Sequence, residues 1–362
     1  MQKKRYNSYI KIMIAIVAVA AVLASAYMMN GNTKSAEGKP LYYISGDVVN
    51  YYGMIVAATA NTGNIEVFTV TGDKLVKSIT LASPEGNSRF YDVVLRADGG
   101  RLYAYAVNGK YFFKYDISDL KLPVLINRIE DTQYDWFIGV QRNSTSLITV
   151  GTKGLKVWTP AMQSIDGYAL TNNFHHNVQL NANGTYLLNI DADKLHIIDS
   201  RTKKTVLSHG LVSKESHNRK AVNNELDSRI YLADDKSLLQ IGFDGNVTKR
   251  FDHNTGFGYD VDGLPYSDYI YFTDGVGAVK VRKSDFKPVK WIKSADMGEK
   301  GGWSTGLNVV SDNGSEKVIV FNGTSIVLLN SDLKPLDYYA TLAEDFGPQE
   351  EMYLGADKTR AP

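Results

Sequence analysis

The chain repeats one local pattern seven times: two β-type runs joined by a tight turn, at intervals of 39 to 48 residues. The matching positions of the seven repeats are Ile55, Tyr103, Ile148, Leu187, Tyr231, Tyr271 and Ile319. A period of roughly 40–45 residues built from short strands is typical of propeller blades, each of which buries its faces against its neighbours. The pattern therefore predicts an all-β fold, a seven-bladed β-propeller over residues 41–342.

Residues 89–129 illustrate how one repeat divides into strands. Asp98-Gly99-Gly100 and Asn108-Gly109 predict tight hairpin turns, because glycine adopts positive φ angles without strain. A third turn is expected between Ser118 and Pro123, since proline cannot donate a hydrogen bond within a central ladder. The runs between these turns are apolar or alternating, as expected for strands packed between neighbouring sheets. Each blade is therefore predicted to be a four-stranded antiparallel sheet.

The N-terminus carries an uncharged apolar run over residues 12–29. Four basic residues precede that run: Lys3, Lys4, Arg5 and Lys11. Positive charge on the cytoplasmic side places the following chain outside. The run is at the lower limit for crossing a bilayer, and Ala24-Ser25-Ala26 also fits a cleavage site. Residues 1–29 are therefore predicted to be either a cleaved signal peptide or a retained membrane-spanning helix.

The rest of the protein is predicted to be extracytoplasmic, at the cell surface or the outer face of the cytoplasmic membrane. Residues 30–40 are polar and read as a flexible linker. Residues 343–362 leave the repeat and are predicted to form a linker or frayed tail. Blade one is expected to be complete from Tyr42 and blade seven to Leu342. Ring closure is then expected to rest on packing between blades, unless Met352-Tyr353-Leu354 adds an edge strand.

Composition excludes several classes of protein. The 362 residues include no cysteine, which rules out thiol chemistry, cysteine metal sites and a lipidated cysteine. A chain of this length buries about three quarters of its unfolded surface, so it is stable without disulfides. The formal net charge is only +1 and no basic stripe is present, which argues against nucleic-acid binding. No nucleophile elbow, phosphate-binding loop or dinucleotide fingerprint is found, and nothing places serine, histidine and acid together, so hydrolase chemistry has no positive support.

Two repeats carry a resemblance to a known family. Residues 109–126, GKYFFKYDISDLKLPVLI, and residues 269–281, YIYFTDGVGAVKV, are similar to the LVIVD and YVTN β-propeller repeats of prokaryotic surface proteins. The remaining repeats match in period and turn placement over about residues 42–342, and the Gly-His and Trp-Asp signature of WD repeats is missing. The resemblance implies a propeller at the cell surface. It does not imply one activity, because these families include lyases, lactonases, quinoprotein dehydrogenases, adhesins and scaffolds.

Candidate binding residues lie where the chain enters the first strand of each predicted blade. In a propeller these strands line the central channel, and the loops before them open on one face. Aromatic side chains beside hydrogen-bonding groups suit recognition of a protein or glycan, although each aromatic could instead pack between blades. The candidates are Arg89, Tyr91, Asp92, Tyr134, Asp135, Trp136, His175, His176, His217, Arg219, Tyr259, Asp260 and Trp303.

No cofactor is predicted, and a central divalent cation is the alternative. Adjacent residues on a strand point to opposite faces, so His175 and His176 cannot easily bind one ion. A site would need one of these two histidines together with other ligands from across the channel: His217, Asp92, Asp135 or Asp260. The simpler interpretation is that these histidines face solvent or pack.

The sequence thus predicts an extracytoplasmic binding module for a protein, glycan or surface-complex partner, associated with the membrane through its N-terminal segment. A cation-dependent propeller lyase or lactonase is the alternative, and a structural subunit of a surface assembly is the second alternative.

Overall fold

The computed structural model describes residues 43–340, apart from residues 62, 85–88, 131–135, 143–144, 170–174, 181–185, 192–193, 211–220, 225–228, 235, 254–257 and 298–303. For residues 43–44, 175–180, 191 and 223–224 only the backbone is described. The described strands form seven four-stranded antiparallel sheets, in each of which spatial order follows chain order. The predicted seven-bladed all-β propeller is therefore confirmed.

Each blade consists of four consecutive strands. Blade 1 contains β1 (Tyr43–Tyr51), β2 (Met54–Asn61), β3 (Asn64–Thr71) and β4 (Lys74–Ala82). Blade 2 contains β5 (Asp92–Asp98), β6 (Arg101–Val107), β7 (Tyr111–Asp116) and β8 (Val124–Glu130). Blade 3 contains β9 (Phe137–Arg142), β10 (Leu147–Gly151), β11 (Gly154–Trp158) and β12 (Ser164–Ala169). Blade 4 contains β13 (His175–Leu180), β14 (Tyr186–Asp191), β15 (Lys194–Asp199) and β16 (Thr205–Gly210).

The last three blades follow the same rule. Blade 5 contains β17 (Ala221–Asn224), β18 (Arg229–Asp234), β19 (Ser237–Gly242) and β20 (Val247–Asp252). Blade 6 contains β21 (Asp260–Asp262), β22 (Tyr269–Thr273), β23 (Gly277–Arg282) and β24 (Pro288–Lys293), and a 3₁₀ helix at Ser294–Asp296 follows it. Blade 7 contains β25 (Ser304–Asp312), β26 (Ser315–Asn322), β27 (Ser325–Asn330) and β28 (Pro335–Ala340).

The turn residues that defined the repeat adopt the backbone angles expected of them. All seven matching positions lie on the second strand of their blade. Gly99 and Gly100 have φ angles of 57° and 77° in the hairpin between β5 and β6, and Gly109 has 90° between β6 and β7. Asn313 and Gly314, at the corresponding hairpin of blade 7, have 49° and 83°. Positive φ at both central residues is the geometry that Asn-Gly favours in a two-residue hairpin.

The first strand of each blade is the inner strand, and these strands contact one another in ring order, including β25 with β1. We call the end of the ring at which the inner strands begin the upper end, and the end at which they finish the lower end. Apolar clusters lie between successive blades; one joins Val48 and Phe68 of blade 1 to Phe321 of blade 7. Gly46 permits this contact, because a Cβ atom there would lie 2.2 Å from the Phe321 ring. The core is thus divided among the junctions between blades.

Among the described strands, the ring closes without exchange of a strand between blades 1 and 7. Blades 1 and 7 are each built from consecutive strands, and β28 packs against β4. The Leu75 amide donates to Asp337 Oδ2 at 2.9 Å across this junction. Lys317 Nζ lies 3.4 Å from Asp73 Oδ1 and also contacts the Gly72 carbonyl. Packing and polar contacts between blades therefore join the two ends of the ring.

The predicted N-terminal segment 1–29, the linker 30–40, the tail 343–362 and the proposed edge strand Met352-Tyr353-Leu354 lie outside the described residues. Helical structure in the described ranges is limited to Ser294–Asp296, so no helix described there could cross a bilayer. The choice between signal peptide and membrane anchor stays a prediction.

Blades 2 and 3 are also joined at the lower end, on the outer part of the sheets. Tyr105 Oη and Lys114 Nζ, from the second and third strands of blade 2, both donate to the Pro160 carbonyl in blade 3, at 2.7 and 2.9 Å. The Lys114 ammonium also lies 4.0 Å from the centre of the Tyr103 ring. Burial lowers the pKa of Lys114 and raises that of Tyr105. The two side chains thus satisfy a turn carbonyl that has no strand partner.

Candidate functional site

Four of the predicted binding residues lie just before inner strands, at the upper end. Arg89 and Tyr91 precede β5, Trp136 directly precedes β9, and Tyr259 directly precedes β21. This placement follows from the fold, because the connection from the outermost strand of one blade to the inner strand of the next passes over the upper end.

Arg89, Tyr91 and Trp136 form one continuous surface, which we call the upper aromatic surface. The rings of Tyr91 and Trp136 meet edge to face, with centroids 6.2 Å apart. The guanidinium carbon of Arg89 lies 5.1 Å from the centre of the Tyr91 ring. Trp136 is 46% exposed although it packs against its neighbours. The three side chains therefore present an aromatic face with a cation at its edge.

The position of Trp136 is determined by hydrogen bonds from both sides. The amide of the next residue, Phe137, donates to the Gly109 carbonyl of blade 2 at 2.6 Å. The Trp136 carbonyl accepts from the Thr152 amide of blade 3 at 3.2 Å. Its indole ring covers Gly109, where a Cβ atom would lie 2.3 Å from the ring. Gly109 is thus required by both its φ angle and its contact with the indole, and the exposed ring is held in place before any partner binds.

Tyr259 is placed differently. Its side chain is only 8% exposed, and its amide donates to the Thr273 carbonyl within blade 6 at 3.0 Å. It therefore offers little surface to a partner, because its side chain is packed inside the ring.

Asp92 and Asp260 each begin an inner strand, and both carboxylates contact the inner strand of the next blade. Asp92 Oδ2 accepts from the Val140 amide of blade 3 at 2.9 Å. Asp260 Oδ2 accepts from the Leu307 amide of blade 7 at 3.0 Å. Each carboxylate also accepts the amide of its own following residue, and each side chain is 7% exposed. The two carboxylates thus bind backbone amides that an inner strand leaves unpaired at its free edge.

Two further aspartates make the same contact and were not among the predicted residues. Asp47 Oδ2 accepts from the Leu95 amide at 2.8 Å, and Asp262 Oδ2 accepts from the Val309 amide at 2.8 Å. In all four cases the donor lies 47 or 48 residues after the carboxylate. An aspartate in an inner strand, one repeat length before an apolar residue of the next inner strand, is the sequence signal that could have identified them.

Arg142 is the other residue that sequence reasoning missed. It lies at the end of β9 in blade 3, and its Nε donates to Asp47 Oδ2 of blade 1 at 2.9 Å. The contact therefore spans blade 2 across the channel. The Asp47 carboxylate raises the pKa of the Arg142 guanidinium, with a smaller contribution from Asp262. The Arg142 side chain is 32% exposed and that of Asp47 is 14% exposed, so this ion pair is partly open to solvent.

The structure brings together no cation site from the described residues. Within the described ranges, no three His, Asp or Glu side chains converge in a way that could hold a metal ion. His175 and His176 lie on β13, and their side chains are not described. The other predicted residues lie outside the described part of the chain: Tyr134, Asp135, His217, Arg219 and Trp303.

Comparison with known proteins supports the fold alone. No protein-family model matches this chain, so the resemblance to the YVTN and LVIVD families is not confirmed, and no curated protein matches it. Among solved structures, the chain is similar to one from Kuenenia stuttgartiensis hydrazine synthase, with a TM-score of 0.62 and 11% identity over 81% of this chain and 96% of that one. At that identity the likeness shows a shared propeller architecture.

Proposed function

We propose that this propeller is an extracytoplasmic binding module and that the upper aromatic surface contacts a protein or glycan partner. The observation that supports this proposal is the exposed indole of Trp136, held between blades 2 and 3 with Tyr91 and Arg89 beside it. Tyr, Trp and Arg are the residue types that contribute most binding energy in protein interfaces. A ring that is already fixed loses little conformational entropy on binding.

The location in the proposal rests on the sequence. The basic flank and the apolar run of residues 12–29 favour export, with the ring held near the outer face of the membrane or released from it. The solved structure with the same architecture belongs to an enzyme, hydrazine synthase, but a shared fold does not transfer a reaction. Binding at the upper end is therefore proposed from the residues there.

The chain provides a matched control for a test of this surface. Trp291, on the outermost strand of blade 6, is 42% exposed, close to the 46% of Trp136. A photo-reactive benzoylphenylalanine would replace either tryptophan in the full-length protein, in cells that produce it. We expect a discrete cross-linked product from position 136 and none from position 291. Products of equal yield at both positions, or at neither, would contradict the proposal.

The alternatives give different outcomes. A cation-dependent enzyme predicts a stoichiometric divalent cation in elemental analysis of the purified full-length protein. A structural subunit predicts that position 136 cross-links to further copies of this chain or to one constant assembly component. A binding module predicts a separate protein or glycan, whose capture is lost in Arg89→Ala.

A further inference from the structure

A cleft at the lower end, between blades 6 and 7, is lined by more positively charged side chains than stand at the matching positions of the junction between blades 2 and 3. It has a volume of about 310 Å³ and is lined by Tyr269, Lys280, Arg282, Lys290, Asp332 and Lys334. Four cations and one carboxylate leave a formal charge of +3 in this cleft. It lies on the outer part of the ring and shares no residue with the upper aromatic surface.

The floor of the cleft repeats the contact already described between blades 2 and 3. Lys280 Nζ of blade 6 donates to the Ser331 carbonyl of blade 7 at 2.7 Å. Tyr271 Oη lies 3.2 Å from the same oxygen and donates to Glu316 Oε2 of blade 7 at 2.5 Å. The Lys280 ammonium lies 4.0 Å from the centre of the Tyr269 ring. Tyr269, Tyr271 and Lys280 thus occupy the same places as Tyr103, Tyr105 and Lys114. In both junctions the lysine donates to the corresponding turn carbonyl. These contacts account for the joining of the blades.

The register of the two junctions aligns residue for residue. Tyr269 pairs with Arg282 and Lys280 with Lys290 in blade 6. The same positions of blade 2 pair Tyr103 with Asp116 and Lys114 with Asn127.

The turns of the next blades align as well. Leu333 in blade 7 and Met162 in blade 3 both have a left-handed backbone conformation, with φ angles of 55° and 62°. The next residue in each turn accepts a matching hydrogen bond: the Lys334 carbonyl accepts from the Asn330 amide, and the Gln163 carbonyl accepts from the Thr159 amide. The positions of Arg282, Lys290, Asp332 and Lys334 are therefore occupied in blades 2 and 3 by Asp116, Asn127, Ala161 and Gln163. At these positions the junction of blades 2 and 3 has one lysine and one aspartate, Lys114 and Asp116, and Asp116 also pairs with Arg101 at 2.8 Å.

The extra cations are therefore not needed to join blades. Lys280 and Lys290 are direct cross-strand partners, and like charges in that position destabilise a sheet. Asp332 lies 3.8 Å from Lys280, and Arg282 pairs with Asp285 at 3.1 Å. Neither Lys290 nor Lys334 makes an ion pair with any residue in the described part of the chain, and both are exposed. A repulsive arrangement that the repeat does not require indicates a negatively charged occupant.

We propose that this cleft binds a multiply charged oxyanion, a phosphate or sulfate group. Lys280 is fixed at the floor by Ser331 and Tyr269, while Arg282, Lys290 and Lys334 surround the opening. Charge-assisted hydrogen bonds from lysine and arginine are the strong contacts for such groups. The group is carried either on a free phosphate chain or on a saccharide as sulfate esters. The proposal does not depend on the function assigned to the upper end.

The test uses purified full-length protein in nonionic detergent at low ionic strength, with calorimetric titration of two probes. Inorganic tripolyphosphate represents the free phosphate chain, and a sulfated hexasaccharide represents the esterified source. Lys290→Asn with Lys334→Gln introduces the residues that blades 2 and 3 carry at these positions. Lys121→Asn with Lys204→Gln removes the same charge from exposed positions elsewhere and is the control.

We expect the wild type to bind at least one probe, and the probe that binds identifies the source of the group. The cleft variant should bind it on the order of tenfold more weakly, as expected from loss of two charged contacts, while the control changes by less than about twofold. Binding should also weaken at high salt, where the Debye length falls to about 3 Å. Failure of the wild type to bind either probe would overturn the proposal. Equal weakening in cleft and control variants would overturn it as well, since it would reveal attraction to overall charge.

The reverse exchange keeps the test decisive if the cleft variant does not fold. Asn127→Lys with Gln163→Lys places two lysines at the matching positions of the junction between blades 2 and 3. This variant is expected to bind the probe at a second site, raising the stoichiometry above that of the wild type. An unchanged stoichiometry in this folded variant would count against a role for these positions in oxyanion binding.

Discussion

The inner and outer parts of the ring join neighbouring blades with side chains of opposite hydrogen-bonding character. On the inner strands, the carboxylates of Asp92 and Asp260 accept amides of the next blade. Farther out at the lower end, Tyr105 and Lys114 donate to a carbonyl of the next blade. The free edge of a strand leaves amides without acceptors, whereas a turn leaves a carbonyl without donors. The backbone group that lacks a partner thus determines which side chain can join the blades.

The inner contact is expected to contribute more stability, because its backbone groups are buried and have one acceptor each. Asp92 accepts from the Val93 and Val140 amides and from Ser45 Oγ at 2.6 Å. Asp92→Ala should lower the free energy of unfolding by about 3 kcal/mol, since buried donors lose their acceptor. Urea denaturation followed by circular dichroism measures the change.

Two variants sharpen that result. Asp92→Asn keeps one oxygen acceptor and should lose roughly half as much stability. Asp119→Ala removes an exposed turn aspartate, which accepts the Lys121 amide at 2.8 Å, and should change stability by less than about 0.5 kcal/mol. If Asp92→Ala and Asp119→Ala lower the free energy of unfolding by the same amount, the contacts of the inner carboxylates with the next blade do not stabilise the ring.

The outer contact is expected to be weaker and redundant. Lys114→Met alone should cost about 1 kcal/mol or less, because Tyr105 still donates to the Pro160 carbonyl. Tyr105→Phe alone should behave in the same way. The double variant should lose about 1 kcal/mol more than the sum, since the carbonyl then has no donor; a double-mutant cycle measures this excess. Strict additivity would show that water replaces the lost donors and that Tyr105 and Lys114 do not substitute for each other at the Pro160 carbonyl.

The sequence predicted the fold because its turn chemistry is local. Asn108-Gly109 and Asn313-Gly314 each predict a hairpin without any knowledge of the rest of the chain, and the period between such turns then predicts the ring. The location of Trp136 just before an inner strand likewise predicted that it lies at the upper end, where its side chain is exposed.

The roles of the charged residues could not be read in the same way. An aspartate at the start of an inner strand can face a ligand or an amide of the next blade, and Asp92 does the second. Arg142 and Asp47 are 95 residues apart and lie on blades that are not neighbours, so no local pattern relates them. The cationic cleft becomes visible only when two junctions are aligned by their strand register.

His253 is a third kind of junction residue, a donor whose charge state depends on pH. Its side chain is 3% exposed, its ring lies 5.3 Å from that of Phe272, and its Nε2 lies 3.3 Å from the Asp234 carbonyl. Burial lowers its pKa, although the carboxylates of Asp274, Asp234 and Asp252 act in the opposite direction.

The sign of the resulting pH dependence follows from that shift. Below a pH of about 6.5 the unfolded chain binds a proton at this histidine that the folded chain does not. Stability from this group is therefore complete above that pH and is lost as the pH falls toward the lower pKa of the folded state. The decrease should be smaller than the effect of Asp92→Ala, because the nearby carboxylates offset part of the burial.

His253→Gln keeps a hydrogen-bond donor but does not titrate, so the difference in unfolding free energy between pH 7.5 and pH 5.5 should be smaller in this variant than in the wild type. The other histidines are common to both proteins and cancel in the comparison. An identical pH dependence in the two proteins would show that His253 takes up its proton as readily in the ring as in the unfolded chain.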